Sequence, residues 1–280
     1  MPSNYGTTSN EHQQNGIAQT ATDGDHESLP LLRRASTGAQ STTRRFRAYL
    51  KHDVNTKWGD ILLLVCYVIT GLLDASATAQ WGAFVSMQTG NTVYFGLGLA
   101  NPQGDERWIK SLISISFFCF GSFVFARFHR HFSPRRRWVL IFSFGAQLAF
   151  IIAAAVIITI DTETDDPLRW EVIIPLALVA FQSSGQTVTS RALQYNALTS
   201  TVLTSIYCDL FSDTELFAGL TKNVQRNRRA LAPLCLLLGA VLGGYWSQSS
   251  IGLPGALYTA ASLKLLIVVA WLFWKRAPEE

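Results

Sequence analysis

Residues 71–93 read GLLDASATAQWGAFVSMQTGNTV, and this stretch decides the fold. It lies within a long apolar region, yet it contains the carboxylate of Asp74 and five consecutive small or polar residues, Gln88 to Thr92. Irregular, polar backbone is tolerated at membrane depth only where protein or a water-filled cavity covers it. The stretch therefore predicts a first membrane span that is followed, without a polar turn, by a broken segment.

The composition of the whole chain favours a membrane protein. Of its 280 residues, 49% are hydrophobic and 15% are charged, whereas about a quarter of the residues of a soluble domain are charged. Residues 1–57 are polar and lack apolar periodicity, which predicts a disordered cytoplasmic tail. The remainder, residues 58–280, predicts an all-α integral membrane domain that contacts the lipid bilayer.

Apolar stretches divide this domain into spans and shorter segments. They are 60–80, 81–100, 108–127, 138–160, 171–190, 198–212, 230–247 and 253–274. Six of them are long enough to cross a hydrocarbon core of about 30 Å as helices. The stretches 81–100 and 198–212 are broken or short, and we expect them to be re-entrant, half-length segments.

The positions of the basic residues favour six spans over eight. With six spans and a cytoplasmic N-terminus, only Arg107, Lys110 and Arg169 flank spans on the outer side, and cytoplasmic loops are where Lys and Arg collect. With eight spans, the basic cluster 127–137 would lie outside. Six spans also place the C-terminus in the cytoplasm and give the halves 58–160 and 171–275 opposite orientations, an inverted repeat that recurs in transporters.

The polar residues of the two broken segments and their neighbours form the candidate substrate-binding site. They are Asp74, Gln88, Thr89, Gly90, Asn91 and Thr92 in the first half, and Gln186, Thr204 and Asp209 in the second half. Glycine permits a break in a helix, and the short Thr and Asn side chains offer hydrogen bonds to a solute. The alternative interpretation of the first segment is a tight structural turn capped by Asn91 and Thr92.

Asp74 and Lys264 are the ionisable residues expected deep in spans. Such a residue costs roughly 2.5–3.5 kcal/mol on insertion scales, so each needs a partner or a function. One interpretation joins Asp74 and Lys264 in an ion pair that clasps the first and last spans together. The other makes Asp74 the titrating group of a substrate or proton site.

Metal, cofactor, catalytic and nucleic-acid sites are not predicted. The four cysteines (Cys66, Cys119, Cys208 and Cys235) form no cluster, and none of the five histidines is expected within an apolar span. The spans lack the nucleophile and metalloprotease motifs of known hydrolases, so an enzyme is not expected. The basic clusters flank apolar spans, where they serve topology or contact anionic headgroups.

The polar tail contains one short motif that suggests a destination. Residues 27–32 read ESLPLL, in which Glu27 precedes Leu31 and Leu32 with the spacing of an acidic di-leucine signal. Sorting adaptors of vacuolar and endosomal membranes read such signals. The motif therefore predicts an adaptor as a partner and one of those membranes as the location.

The pattern in residues 71–93 resembles the YoaK-like family of polytopic membrane proteins (domain of unknown function 1275), and the sequence resembles its fungal members more closely. The family pattern has G-x-x-D-A, then F-V-x-x-x-T-G-N-T, and later G-Q followed by T-G. Here the later elements are Gly185-Gln186 and Thr204-Ser205, and Ser205 stands where the family has glycine. The resemblance implies a polytopic membrane protein and no particular reaction.

Two functions remain open from the sequence. The broken segments and inverted halves favour a secondary transporter or channel for a small molecule or ion, with its site at the broken segments. The long tail with a sorting motif also suits a non-transporting scaffold or assembly factor. Either protein could act as a homo-oligomer.

Overall fold

The computed structural model of this protein describes residues 44–160, 168–195, 198 and 201–278. The di-leucine residues Glu27, Leu31 and Leu32 lie outside this part of the chain. The described part opens with a helix over 44–51 and a 3-10 turn at Thr56–Trp58. Backbone hydrogen bonds join Val54 to residue 135 and Asn55 to residue 275, so ordered contacts with the domain begin before residue 58, the boundary that the sequence suggested.

Eight α-helices build the membrane domain. They are α1 (Gly59–Trp81), α2 (Gln88–Ala100), α3 (Arg107–His131), α4 (Arg137–Ile160), α5 (Trp170–Ala192), α6 (Leu203–Phe211), α7 (Val224–Gln248) and α8 (Leu253–Phe273). Six of them, all but α2 and α6, are long and apolar enough to cross a membrane. The described residues contain no strand beyond two isolated β-bridges. The predicted all-α fold with six spans and two shorter segments is confirmed.

The start of the domain, the α3–α4 loop and the end of α8 lie at one face, which we call the N-terminal face. Val54 donates its backbone N–H to the carbonyl of Arg135 (2.9 Å), and Asn55 donates to the carbonyl of Lys275 (3.0 Å). The guanidinium of Arg137 is fully buried here and stacks over the Tyr49 ring, 3.8 Å from its centroid. These three segments together form a brace that closes the N-terminal face.

The end of α5 and the start of α7 lie at the same face. Arg228 near the start of α7 forms an ion pair with Asp60 at the start of α1 (2.7 Å). Tyr195, just beyond α5, donates its hydroxyl to the carbonyl of Thr56. Burial, aided by the neighbouring carboxylate of Asp60, raises the pKa of the Tyr195 hydroxyl above its ordinary value, so this donor keeps its proton.

These contacts fix the path of the chain. Because α3 ends at the N-terminal face, it begins at the far face, where Arg107 donates to the carbonyl of Gly82 just after α1. Both ends of segment 82–106 thus lie at the far face, and α2 is re-entrant from that side. Both ends of segment 193–223 lie at the N-terminal face, so α6 is re-entrant from the opposite side.

Most helix contacts, all but the minor α7–α8 contact, are symmetric under exchange of the two halves. In the first half α1 packs mainly against α7, and its counterpart α5 packs mainly against α3. The counterparts in the two halves are α1 and α5, α2 and α6, α3 and α7, and α4 and α8. Exchange of counterparts leaves the α4–α8 contact unchanged, turns the α4–α5 contact into α8–α1, and turns the α2–α3 contact into α6–α7. This pattern is that of an inverted repeat whose halves are intertwined.

Glycines allow the two main crossings to be close. In the α1–α7 crossing, a Cβ on Gly239 would collide with the carbonyl oxygen of Val68. In the α3–α5 crossing, a Cβ on Gly121 would lie 2.6 Å from the carbonyl oxygen of Phe181. Small residues at such contacts let helix backbones approach in membranes, where no hydrophobic force draws helices together.

Candidate functional site

The break after α1 is organised by Asp74. Gly82 ends α1 in the left-handed conformation (φ 76°), and the chain then turns back into the domain. At the depth of Asp74, one carboxylate oxygen accepts the backbone N–H groups of Val85 (2.9 Å) and Ser86 (2.8 Å). The other oxygen accepts the Ser86 hydroxyl. Asp74 is buried, so this carboxylate supplies hydrogen bonds that the inward loop would otherwise lack.

Asn91 holds the same loop from the other side. Its amide accepts the backbone N–H of Phe84 (2.9 Å) and donates to the Phe84 carbonyl (2.7 Å). The same nitrogen contacts the Gln88 side chain (2.9 Å) and the Ser114 hydroxyl in α3 (3.1 Å). Asn91 is fully buried. Asp74 and Asn91 are therefore positioned as structural ties of the re-entrant loop.

The other residues of the first motif differ in exposure and role. Thr92 donates its hydroxyl to the Gln88 carbonyl (2.8 Å). Gly90 packs against the Phe84 ring, where a Cβ would lie 2.7 Å from the ring. Thr89 is exposed and, with Gln88 and Ser86, lines a cavity. The structure thus divides the motif into residues that hold the loop and residues that face the cavity.

The cavity has a volume of about 800 Å³ and joins the two broken segments. Thr201, from the segment before α6, lines the wall together with Thr89, from the segment before α2. The end of α5 contributes Thr187, whose hydroxyl lies 3.4 Å from that of Thr201. The cavity reaches Arg130 and Arg191, at the ends of α3 and α5 on the N-terminal face.

The second-half residues of the predicted site do not all reach this cavity. Gln186 is buried in the core, and Thr204 is exposed without lining either of the larger cavities. Asp209 lines a separate cavity of about 650 Å³ at the N-terminal face, beside Arg228 and Arg229. The two segments meet, as the sequence suggested, through Thr201 rather than through Thr204 or Asp209.

Lys264 is fully buried near the middle of α8. Its ammonium donates to the side-chain oxygens of Gln147 in α4 (2.9 Å) and Gln186 in α5 (2.8 Å). Gln186 in turn donates to the Thr70 hydroxyl in α1 (2.6 Å). Four spans from both halves are therefore joined around one lysine.

The predicted ion pair between Asp74 and Lys264 is not formed. The three ion pairs within the described part of the chain are Arg169–Glu171, Arg228–Asp60 and Arg229–Asp213. Asp74 is engaged by the loop after α1, whereas Lys264 faces α4 and α5. The sequence gives the depth of each residue along its helix but not the side of the helix that it occupies.

His129 is a functional candidate that the sequence reasoning missed. It lies in the last turn of α3, is 4% exposed, and lines the cavity, although no histidine was expected within a span. Its Nε2 atom contacts the hydroxyls of Thr189 (3.1 Å) and Ser143 (3.4 Å), and Ser143 accepts from Gln147 (3.4 Å). A buried polar network thus connects the cavity wall to Lys264.

Six spans, two re-entrant segments of opposite orientation and a cavity where they meet define a polytopic membrane protein. Residues 62–270 match the family described as "Protein of unknown function (DUF1275)", and the chain belongs to this family. No curated protein and no solved structure matches the chain.

Proposed function

We propose that this protein is a transporter or channel that moves a small solute through the cavity where the two re-entrant segments meet. One observation carries the proposal. Segments from opposite halves, entering from opposite faces, contribute Thr89 and Thr201 to a single cavity of about 800 Å³. Interrupted segments that meet near the midplane are the usual solute site of inverted-repeat transporters.

The walls of the cavity suit a small polar solute. Hydroxyl and amide groups of Ser86, Gln88, Thr89 and Thr187 line its inner part. Such groups exchange hydrogen bonds with water or a solute at little cost, because each can both donate and accept. The volume lies within the range of about 300–1,000 Å³ that is typical of small-molecule sites.

The lining of the cavity reaches the N-terminal face at Arg130 and Arg191, and Ser86, Gln88 and Thr89 form its inner end. Asp74 and Asn91 tie the loop 82–87 across its inner end. A channel requires a state in which this inner end opens, and a transporter requires in addition that the N-terminal side closes when it does. A scaffold protein, the alternative function, needs no such state.

Access of a reagent to Thr89 from both faces tests the proposal without knowledge of the solute. The four native cysteines are replaced by serine, and Thr89→Cys is exposed to an impermeant, charged methanethiosulfonate in sealed vesicles of either orientation. We expect reaction from both faces, faster from the N-terminal face. Reaction from that face alone would refute transport and leave a blind pocket.

Two matched positions calibrate the labelling. Ser116→Cys lies on an exposed part of α3 within the span, and we expect no reaction from either face because lipid suppresses thiolate formation. Lys222→Cys lies in the loop before α7, and we expect reaction from the N-terminal face only. Leakage of vesicles would show as reaction of Lys222→Cys from both faces.

A further inference from the structure

The charges around the cavity have one sign. Arg130 and Arg191 line it at the N-terminal face, and the described residues that line it include no Asp or Glu. The Arg130 side chain makes a single weak contact, to the carbonyl of Ala126 (3.3 Å), and both arginines are exposed. Their guanidinium groups are therefore available to a bound anion, which Arg recognises through two parallel hydrogen bonds.

The buried charges behind the wall do not reverse this sign. The oxygens of Asp74 already accept three hydrogen bonds from Val85 and Ser86. Lys264 donates to two neutral glutamine oxygens rather than to a carboxylate. Neither Asp74 nor Lys264 lines the cavity, so Arg130 and Arg191 are the charged groups in direct reach of an occupant.

His129 gives a second and independent indication of a ligand. Its side chain is buried in the cavity wall, and its Nδ1 atom has no hydrogen-bond partner among the described residues. Thr189 donates its hydroxyl to the Gly185 carbonyl (2.8 Å), so its oxygen accepts a hydrogen bond from the Nε2–H of His129. With the proton on Nε2, Nδ1 is an acceptor, and buried polar atoms normally have partners. Its missing partner is therefore a donor, such as a water or an O–H group of the occupant, and an anionic head lies elsewhere in the cavity.

The remaining walls are apolar and exclude a bare inorganic ion as the best occupant. Phe118, Val188 and Val202 line the cavity beside the polar groups. A halide would not contact these apolar surfaces and would leave most of the cavity volume of about 800 Å³ unfilled. An occupant with an anionic head and an apolar body fills both parts.

We infer that the cavity binds a small organic carboxylate, whose head contacts Arg130 and Arg191 and whose body lies against Phe118 and Val188. This inference rests on the proposed function in that it assigns the solute class of the same cavity. The inference specifies the charge and the shape of the solute, which the transport proposal leaves open.

Three ring compounds of one shape and different charge test the inference. Benzoate, benzamide and benzylammonium are added to the full-length protein in nanodiscs, and binding is measured as quenching of tryptophan fluorescence and as a rise of the unfolding midpoint. We expect saturable binding of benzoate only. Equal responses to the neutral or cationic compound, or no response to benzoate, would overturn the inference.

The double variant Arg130→Gln/Arg191→Gln shows whether the arginines carry the recognition. We expect the affinity for benzoate to fall by about tenfold or more, because two charge-assisted hydrogen bonds are lost. Arg135→Gln is the matched control, since Arg135 is an exposed arginine of the same face that does not line the cavity. Equal benzoate affinity in the double variant and this control would refute the assignment.

The outcome is separable from that of the transport proposal. If Thr89→Cys reacts from both faces but benzoate does not bind, transport stands and the carboxylate is wrong. If benzoate binds but labelling occurs from one face only, the site exists without transport.

Discussion

Replacement of Asp74 by alanine should destabilise the protein strongly, and the structure gives the magnitude. The substitution leaves the buried N–H groups of Val85 and Ser86 without acceptors, at about 1–3 kcal/mol each. The Ser86 hydroxyl can rotate to another acceptor. We therefore expect a loss of about 2–6 kcal/mol in the free energy of unfolding.

Asp74→Asn separates the hydrogen bonds from the charge. An asparagine oxygen can still accept both N–H groups, so we expect a loss near 1 kcal/mol from the one weakened bond to the Ser86 hydroxyl. The assay is SDS titration in mixed micelles, followed by tryptophan fluorescence. The control is Asp105→Ala, because Asp105 is an exposed carboxylate that also accepts a backbone N–H (3.1 Å), and we expect a change within about 0.5 kcal/mol.

Two results would contradict this account. If Asp74→Ala unfolds at the same SDS fraction as the wild type, the carboxylate does not hold the loop. If Asp74→Asn is as stable as the wild type but blocks labelling of Thr89→Cys from the far face, Asp74 takes part in the transport cycle itself.

Three further predictions concern packing, the buried lysine and topology. Gly239→Ala should cost about 3 kcal/mol by forcing α7 from α1, whereas Gly244→Ala, with nothing within 4 Å, should change stability by less than about 0.5 kcal/mol; equal effects in SDS titration would contradict the close crossing. Lys264→Met should cost about 2–4 kcal/mol because two buried glutamine oxygens lose their donor, and adding Gln147→Leu should restore part of that loss; simple additivity would show that the residues are uncoupled. Ser133→Cys, in the α3–α4 loop, should react only from the face at which the domain begins, and labelling from the other face would overturn the six-span path.

The number of spans and the side of the membrane on which each loop lies could be predicted, because two properties of the sequence depend on the bilayer. Apolar length reports the thickness of the bilayer, and basic residues report the side of each loop. The cluster 127–137 decided between six and eight spans, and the hydrogen bond from Val54 to Arg135 places it with the start of the domain. The re-entrant segments were recognisable because polar residues such as Gln88 and Asn91 cannot face lipid.

The individual contacts could not be predicted, because they depend on which side of a helix a residue occupies. Asn91 satisfies both backbone groups of Phe84, which is seven residues earlier and across a break. Lys264 meets Gln147 and Gln186 because α8 packs against α4 and α4 packs against α5, and no local sequence pattern records these contacts. His129 stands in a basic, polar-looking stretch, yet it is buried while Arg130 beside it is exposed.

The intertwining of the halves has a consequence for how the protein is made. The main partner of α1 is α7, which ends roughly 170 residues later in the chain. At ribosomal speeds of about 5–20 residues per second, α1 waits roughly 10–30 s for that partner. Thr70 lacks its partner Gln186 until 116 residues later in the chain, and Ser76 lacks the Gly243 carbonyl until 167 residues later. We therefore expect the insertion machinery to shield the polar groups of the newly synthesised first helix until the second half of the chain is inserted.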